Sequence, residues 1–294
     1  MSNQPSHQPT FCLTFDFDAI SAWLGTLGLS SPVYVSRSDF AANVATPRIL
    51  DLLAREGITA TWFIPGMDAD TYPDVCKRIR DAGHEIGHHG YAHEVPTSLD
   101  EPAERKMIER GLESLDKVLG VRPQGFRSPA ADLSFNSNRL LAEYGFTYDS
   151  SMMGHDFELY RCRAGDVVHP DKALEFGQEI DLVEVPIGSV GDLVFMEFVM
   201  APPLVLPGNA DFEGLGRRWV TDLDYMAEEV PHGVFTPVFH PVAIGRGGRI
   251  RLMERLIQRA REHNARFVTV SQAVADWKAA TASPSVDPGA TAHA

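Results

Sequence analysis

The chain has 294 residues, 44% of them hydrophobic and 22% charged, enough to bury a sizeable core in one large domain or two small ones. Its net charge of −14 speaks against nucleic acid or an anionic membrane as the main partner. No run approaches the roughly 18 apolar residues that would span a bilayer. The start, MSNQPSHQPTF, lacks the basic and apolar regions of a signal peptide. The three cysteines, Cys12, Cys76 and Cys162, are odd in number, far apart and without a Cys-x-x-Cys pair, which predicts reduced thiols in a cytoplasmic protein and no thiolate zinc site.

Residues 1–10 and 280–294 are polar or small and Pro-containing and read as disordered tails around a single domain over 11–279. Within it, Phe11–Phe17 is the first expected strand. Thr46–Pro47 looks like an N-cap followed by Pro at N1, opening a helix that Gly57 closes. Thr59–Pro65 is β-branched and aromatic, hence a strand. Pro73–Ala82 is helical up to Gly83, His84–His89 is short and strand-like, and Pro102–Leu119 is a long helix closed by Gly120. A short strand at Gln124–Ser128 precedes a helix near Asn138–Tyr144. Later come a strand at Val183–Ile187, a helix at Gly214–Glu229, a strong strand at Val234–His240, a helix at Ile250–His263, and a last strand at Arg266–Val270 before a short helix to Ala279. Residues 150–215 break this rhythm with Gly, Pro and Met clusters and read as long loops or an insertion that covers a site. Strand–helix alternation over most of a chain points to parallel strands joined by crossover helices. The expected fold is α/β, a distorted (β/α) barrel of about seven parallel strands, with a doubly wound open sheet as the alternative.

Four constellations carry chemistry. In Thr14-Phe15-Asp16-Phe17-Asp18 two carboxylates lie two positions apart at a strand end and share a face in strand geometry. Turn-initiating aspartates give the same pattern. The run from His84 to His93 holds four histidines in ten residues, a density that belongs to metal ligation or acid–base work. His84-Glu85-Ile86-Gly87-His88 matches the zincin pattern, but that motif works on a helix. Gly83, Gly87 and Gly90 oppose a helix here, at roughly 1 kcal/mol for each interior glycine. Setting it aside leaves His89 and His93 on a strand end that runs into a loop. Phe126-Arg127-Ser128-Pro129 places an arginine at another strand end, where its planar fork can orient an ionised carboxylate. Val238-Phe239-His240-Pro241 ends an apolar strand with a histidine able to donate a proton, or simply a satisfied core histidine.

In this order the four pieces resemble the polysaccharide deacetylase (carbohydrate esterase 4, NodB-like) family across roughly residues 11–275. The family's T-F-D-D-G motif corresponds to Thr14-Phe15-Asp16-Phe17-Asp18, with one residue inserted and no Gly. Its H-[ST]-x-x-H motif corresponds to His89-Gly90-Tyr91-Ala92-His93, and the remaining two to Arg127-Ser128-Pro129 and Phe239-His240-Pro241. The spaced aspartates, the H-G-Y-x-H form and Leu182-Val183-Glu184-Val185-Pro186 look like a subgroup. That subgroup holds intracellular-type peptidoglycan deacetylases, metal-independent allantoinases and cyclic imide hydrolases. The allantoinases lack the metal-binding acid; Asp18 is present here and favours a metallated site.

The resemblance implies a divalent metal, usually zinc, on Asp18, His89 and His93. It implies Asp16 as general base, Arg127 orienting Asp16, and His240 as general acid. One carboxylate and two imidazoles leave a coordination position open, as catalytic zinc sites require. The expected activity is hydrolysis of a carbon–nitrogen bond in a small cyclic imide or amide, or in an N-acetyl group. Met152, Met153, Phe195, Met196, Phe198 and Met200 are candidates for an apolar lid over a small ring, unless they only pack the core. A peptidoglycan or chitooligosaccharide N-deacetylase is the alternative. From other classes, a non-haem Fe(II) enzyme uses a similar ligand set, and a catalytically inactive metal-binding protein would keep the ligands alone. The subgroup also implies a homo-oligomer, dimer or tetramer. His84 and His88 are left without a role.

Overall fold

The computed structural model describes residues 8–187, 191–192, 199–201, 204–206 and 211–282, without the side chains of 199–201 and 204–206. The first half runs β1 (Thr10–Phe11), β2 (Thr14–Asp16), α1 (Pro32–Phe40), α2 (Thr46–Glu56), β3 (Thr61–Ile64), α3 (Gly66–Thr71), α4 (Pro73–Asp81), β4 (Glu85–His88), α5 (Glu101–Leu119), β5 (Gly125–Phe126), α6 (Ser137–Glu143) and β6 (Tyr148–Asp149). The second half runs β7 (Tyr160–Ala164), β8 (Gln178–Glu184), β9 (Val199–Ala201), β10 (Leu204–Leu206), α7 (Phe212–Glu229), β11 (Val234–Phe235), β12 (Val238–Phe239), α8 (Pro241–Ile244), α9 (Ile250–Glu262), β13 (Arg266–Phe267) and α10 (Val270–Ala282).

The fold is α/β with a mostly parallel sheet, as the alternation predicts. Its main sheet has the order β12-β2-β3-β4-β5-β6-β8-β7, in which seven strands run parallel and the edge strand β7 antiparallel. The end strands β12 and β7 do not pair with each other among the described residues, so the barrel is not closed by a ladder. The first strand is interrupted: β1 lies between β11 and β13, and β2, three residues on, lies between β12 and β3. This is the distortion, since β13 and β3 take turns on one side of the same chain segment.

Most of the expected elements are present. Gly57 and Gly120 close α2 and α5 in the left-handed region, at φ 63° and 64°, where a side chain is strained. Asp100 caps α5 by accepting the Ala103 N–H. Four expectations need correction. Thr46 is no N-cap: residues 41–45 already form a π-type turn continuous with α1, and the Thr46 hydroxyl bonds back to the Ala41 carbonyl. The strand over Val234–His240 is broken at Thr236–Pro237 into β11 and β12. Proline has no N–H to give to a central ladder. Within residues 150–215 the expected strand at Val183–Ile187 begins earlier, at Gln178: β8 extends the parallel sheet from β6, and β7 folds back on it. The folded chain also outruns 11–279, with Thr10 in β1 and α10 reaching Ala282. Residues 1–7 and 283–294 lie outside the described residues. No helix among the described residues is long and apolar enough to cross a membrane.

The core forms where aromatic side chains on adjacent strands meet. Phe15 on β2 stacks on Trp62 of β3 at 4.4 Å, and Trp219 of α7 sets its edge on Phe239. Phe63, one residue on from Trp62, points to the opposite face and lies over Gly87 of β4, its partner in register. A Cβ at 87 would stand 2.4 Å from the Phe63 ring. Gly87→Ala is expected to destabilise the protein by about 1–3 kcal/mol through overpacking, read as a fall in the urea midpoint at unchanged slope. An unchanged midpoint would show that Phe63 has room to yield.

Candidate active site

Every sequence-derived site residue stands at the C-terminal edge of the parallel strands. Asp16 ends β2 and Asp18 lies two residues on; His89 follows β4, Arg127 follows β5, and His240 follows β12. That edge is where loops can converge on a ligand without interrupting the sheet. Asp16, Asp18, His89, His93, Arg127 and His240 are all buried. Glu85–His88 is a strand, so the zincin-like spacing does not lie on a helix.

Asp18, His89 and His93 come together. One ligand atom from each lies within 4.8 Å of the other two. Asp18 Oδ1 is 3.5 Å from His89 Nε2, and Asp18 Oδ2 is 3.4 Å from His93 Nε2. Ligands bound about 2.0–2.2 Å from a tetrahedral zinc stand roughly 3.3–3.6 Å apart, so the spacing suits that ion. The proton positions suit it as well. His89 Nδ1 lies 2.7 Å from the Arg127 carbonyl, which can only accept. Thr26 gives its hydroxyl proton to the His93 carbonyl at 2.9 Å, so its oxygen accepts from His93 Nδ1 at 2.6 Å. Both rings therefore carry their proton on Nδ1 and turn an Nε2 lone pair toward Asp18. Asp18 Oδ1 is buried with no hydrogen-bond partner among the described residues. Burial opposes ionisation of Asp18, but positive charge at the two imidazole positions outweighs it and holds the carboxyl well below the ordinary range. Burial likewise opposes protonation of His89, and Asp16 and Asp18 outweigh it to raise that ring's pKa. The field between these residues thus draws positive charge, which is what a divalent cation supplies.

Asp16 is held by Arg127. The guanidinium, 1% exposed, gives Nη1–H to Asp16 Oδ1 at 2.8 Å and to Thr14 Oγ1 at 2.9 Å. Its Nε and Nη2 donate to the carbonyl and hydroxyl of Ser150, and its plane lies 4.2 Å from the Phe63 ring centre. Asp16 Oδ2 is left facing the site, 3.9 Å from His89 Nε2 and 3.8 Å from His240 Nε2. His240 in turn bonds Asp192 through Nδ1 at 2.7 Å and through its backbone N–H. Burial lowers the affinity of His240 for a proton, but Asp192, with Asp18 and Asp16, overrides it and raises the pKa to about 9. This ring therefore holds its proton at neutral pH.

The chain is similar over most of its length to known deacetylases. The family described as polysaccharide deacetylase matches residues 4–148. A peptidoglycan deacetylase of Helicobacter pylori is 34% identical over 275 residues, covering 89% of this chain and 94% of the relative. The chain belongs to the polysaccharide deacetylase family. A peptidoglycan deacetylase-like protein of Gibberella zeae is 31% identical over 290 residues, 90% of this chain and 85% of the relative. Among solved structures, a Mycobacterium smegmatis protein assigned to the polysaccharide deacetylases superposes with a TM-score of 0.79 at 30% identity, over 97% of this chain and 95% of that one. An allantoinase superposes with a TM-score of 0.74 at 20% identity, over 94% and 92% of the two chains, which shows a common fold. The protein is thus a hydrolase of amide-type carbon–nitrogen bonds, and the non-haem iron reading falls away.

Sequence reasoning missed three residues around the candidate site. Asp192 lies between β8 and β9 in the chain and belongs to no motif. Thr26, which sets the His93 tautomer, is one of many surface-type threonines in the sequence. Asp68 at the start of α3 is buried and accepts the N–H groups of Ala19, Ile20 and Ser21, which pins the turn after Asp18. An acidic residue in the first turn of a helix reads only as a dipole partner. Of the expected lid, Met152 packs against the core around Phe126 and Leu182, and Met153 is 67% exposed. Phe195, Met196 and Phe198, and the side chain of Met200, lie outside the described residues.

Arg127→Met leaves Asp16 buried without its counter-charge. In chelator-treated protein this is expected to cost about 3–5 kcal/mol of unfolding free energy, measured by urea denaturation. A loss below about 1 kcal/mol, the scale of a surface pair, would show that Asp16 does not depend on the guanidinium.

Proposed function

We propose that the enzyme is a metal-dependent hydrolase of amide-type bonds in which Asp18, His89 and His93 hold the cation, with zinc the ion their spacing favours. Asp16 is the general base, Arg127 orients Asp16, and His240, backed by Asp192, is the general acid. The observation that carries this reading is the pair of Nε2 lone pairs turned on the buried Asp18 carboxylate, that of His89 toward Oδ1, which has no hydrogen-bond partner among the described residues, and that of His93 toward Oδ2. Asp18, His89 and His93 would hold a divalent cation that, when bound, would polarise the scissile carbonyl and acidify a water. Asp16 Oδ1 is committed to Arg127, so Oδ2 is the atom that takes the proton of the attacking water. His240 Nε2–H faces the same space and gives its proton to the departing nitrogen as the C–N bond breaks. Nδ1 stays anchored on Asp192 throughout. Amine and imide nitrogens are poor leaving groups, so the reaction needs that donated proton.

The substrate is read from the burial of the reacting atoms. Asp16, Asp18 and His240 have side chains only 6%, 10% and 5% exposed. Such a site favours a compact amide, and the proposed substrate is a small cyclic imide or amide. A second reading, an N-acetyl group carried on an amino sugar, is favoured by the names of the relatives from Helicobacter pylori and Gibberella zeae. The homo-oligomer implied by the sequence resemblance has support in the β7–β8 hairpin, which exposes Val167, Val168 and Phe176. Cys12, Cys76 and Cys162 are all free and buried, which supports a cytoplasmic setting.

Turnover of succinimide, hydantoin, allantoin and N-acetylglucosamine oligomers, with and without chelator, separates the readings. Chelator-sensitive hydrolysis of a cyclic imide is the expected result. Activity confined to the oligomers would establish the second reading, and activity that resists metal removal would refute both. The pH profile tests the acid. His240, with its pKa raised to about 9, is protonated below that value, so activity falls as pH rises through it. Asp192→Asn removes the charge that raises this pKa and is expected to move the alkaline limb of kcat/KM to lower pH, with the zinc content unchanged. An unmoved limb would show that His240 is not the proton donor.

A further inference from the structure

His88 is the histidine that neither the ligand set nor the acid–base pair uses. It is completely buried, with its ring stacked on Phe126 at 5.3 Å and edge-on to Phe146 at 5.6 Å. The Gly90 amide lies 3.1 Å from Nδ1, and since an amide only donates, Nδ1 is the acceptor. The ring proton is then on Nε2, which gives it to the Ile108 carbonyl of α5 at 3.1 Å. Helix α5 makes room for the contact with Gly111. A Cβ there would stand 2.2 Å from His88 Nε2 and 2.8 Å from the Gly90 carbonyl. Glycine is otherwise a poor mid-helix residue.

The turn that His88 touches is the one between the two imidazole ligands. Gly90 sits at φ 71° and His93 at φ 59°, the left-handed region that non-glycine residues adopt uncommonly. Three successive amides of the turn donate to side-chain acceptors. Gly90 uses His88, while Tyr91 and Ala92 use Glu94 Oε2 at 3.1 and 2.7 Å. The Gly90 and Tyr91 carbonyls accept from Gly66 and Met67.

We propose that His88 is a positioning residue, whose Nδ1 acceptor fixes the Gly90 turn so that His93 closes on His89, and which thereby sets metal affinity without touching the metal. The proposal rests on the metal reading above. Its test is the zinc dissociation constant, measured by chelator competition on apo-protein whose fold is checked by near-UV circular dichroism. Asparagine can accept the N–H two residues on, as in an Asx turn, so His88→Asn is expected to keep wild-type affinity. His88→Phe fills the ring's volume but accepts nothing, and is expected to bind zinc about 10–100-fold more weakly, with turnover recovering at high zinc. Gly111→Ala leaves His88 in place but pushes against its ring, and is expected to show the same loss. A folded His88→Phe or Gly111→Ala protein of wild-type affinity would overturn the proposal, as would His88→Asn binding as weakly as His88→Phe. Wild-type protein that binds no zinc would overturn the metal reading and the proposal with it.

Discussion

The buried guanidinium of Arg127 is the constraint on which the site depends. Four hydrogen bonds from it go to Thr14, Asp16 and Ser150, which belong to or follow β2 and β6, while Arg127 itself follows β5. One planar cation thus ties three strand ends across the sheet, something a lysine's single ammonium cannot reproduce. Its backbone contributes as well: its N–H donates to the His88 carbonyl, and its carbonyl accepts from His89 Nδ1. The base and the first imidazole are therefore positioned by the same residue. Gly87 and Phe63 belong to this constraint too, because the ring that lies over Gly87 is the one that supports the guanidinium plane.

The charges around that cation explain why the site calls for another. Arg127 balances Asp16, and a protonated His240 balances Asp192. Asp18 is the carboxylate left over. It has two imidazoles beside it, but each already donates its Nδ1 proton elsewhere. A buried carboxylate oxygen without a partner is costly. A cation between Asp18, His89 and His93 removes that cost and gives the lone pairs of both rings a use. Local geometry and electrostatics thus lead to the same three residues.

Much of this is legible in the sequence because it is local. Strand ends marked by Asp16, His89, Arg127 and His240 carry their own motifs, and the glycines at 83, 87 and 90 rule out a helix through the histidine run, which is strand β4. Six of the main sheet's seven parallel strands follow from alternation, while β6 (Tyr148–Asp149) has no counterpart among the expected strands and the expected last strand, β13, pairs with β1 instead. What is not legible is long-range. Thr26 and Asp192 act across 67 and 48 positions of chain, and Asp68 reaches back 49 positions to the turn after Asp18. Nothing in their neighbours marks them, since each is a common polar residue whose partner is set only by the fold. The same holds for Thr46, whose Thr-Pro pair has the composition of a cap but lies inside a continuing helical stretch. His88 is visible as an anomaly, yet its role needs Gly111, 23 positions away on another element.

Asp18, His89 and His93 stand or fall together as one metal site. Crystals of the zinc-loaded protein, measured on both sides of the zinc absorption edge, test this most directly. The expected result is a single strong anomalous peak per chain about 2.0–2.2 Å from a carboxylate oxygen of Asp18 and from Nε2 of both His89 and His93. A peak ligated instead by His84 or His88, or no peak at the three residues in fully zinc-loaded crystals, would contradict it.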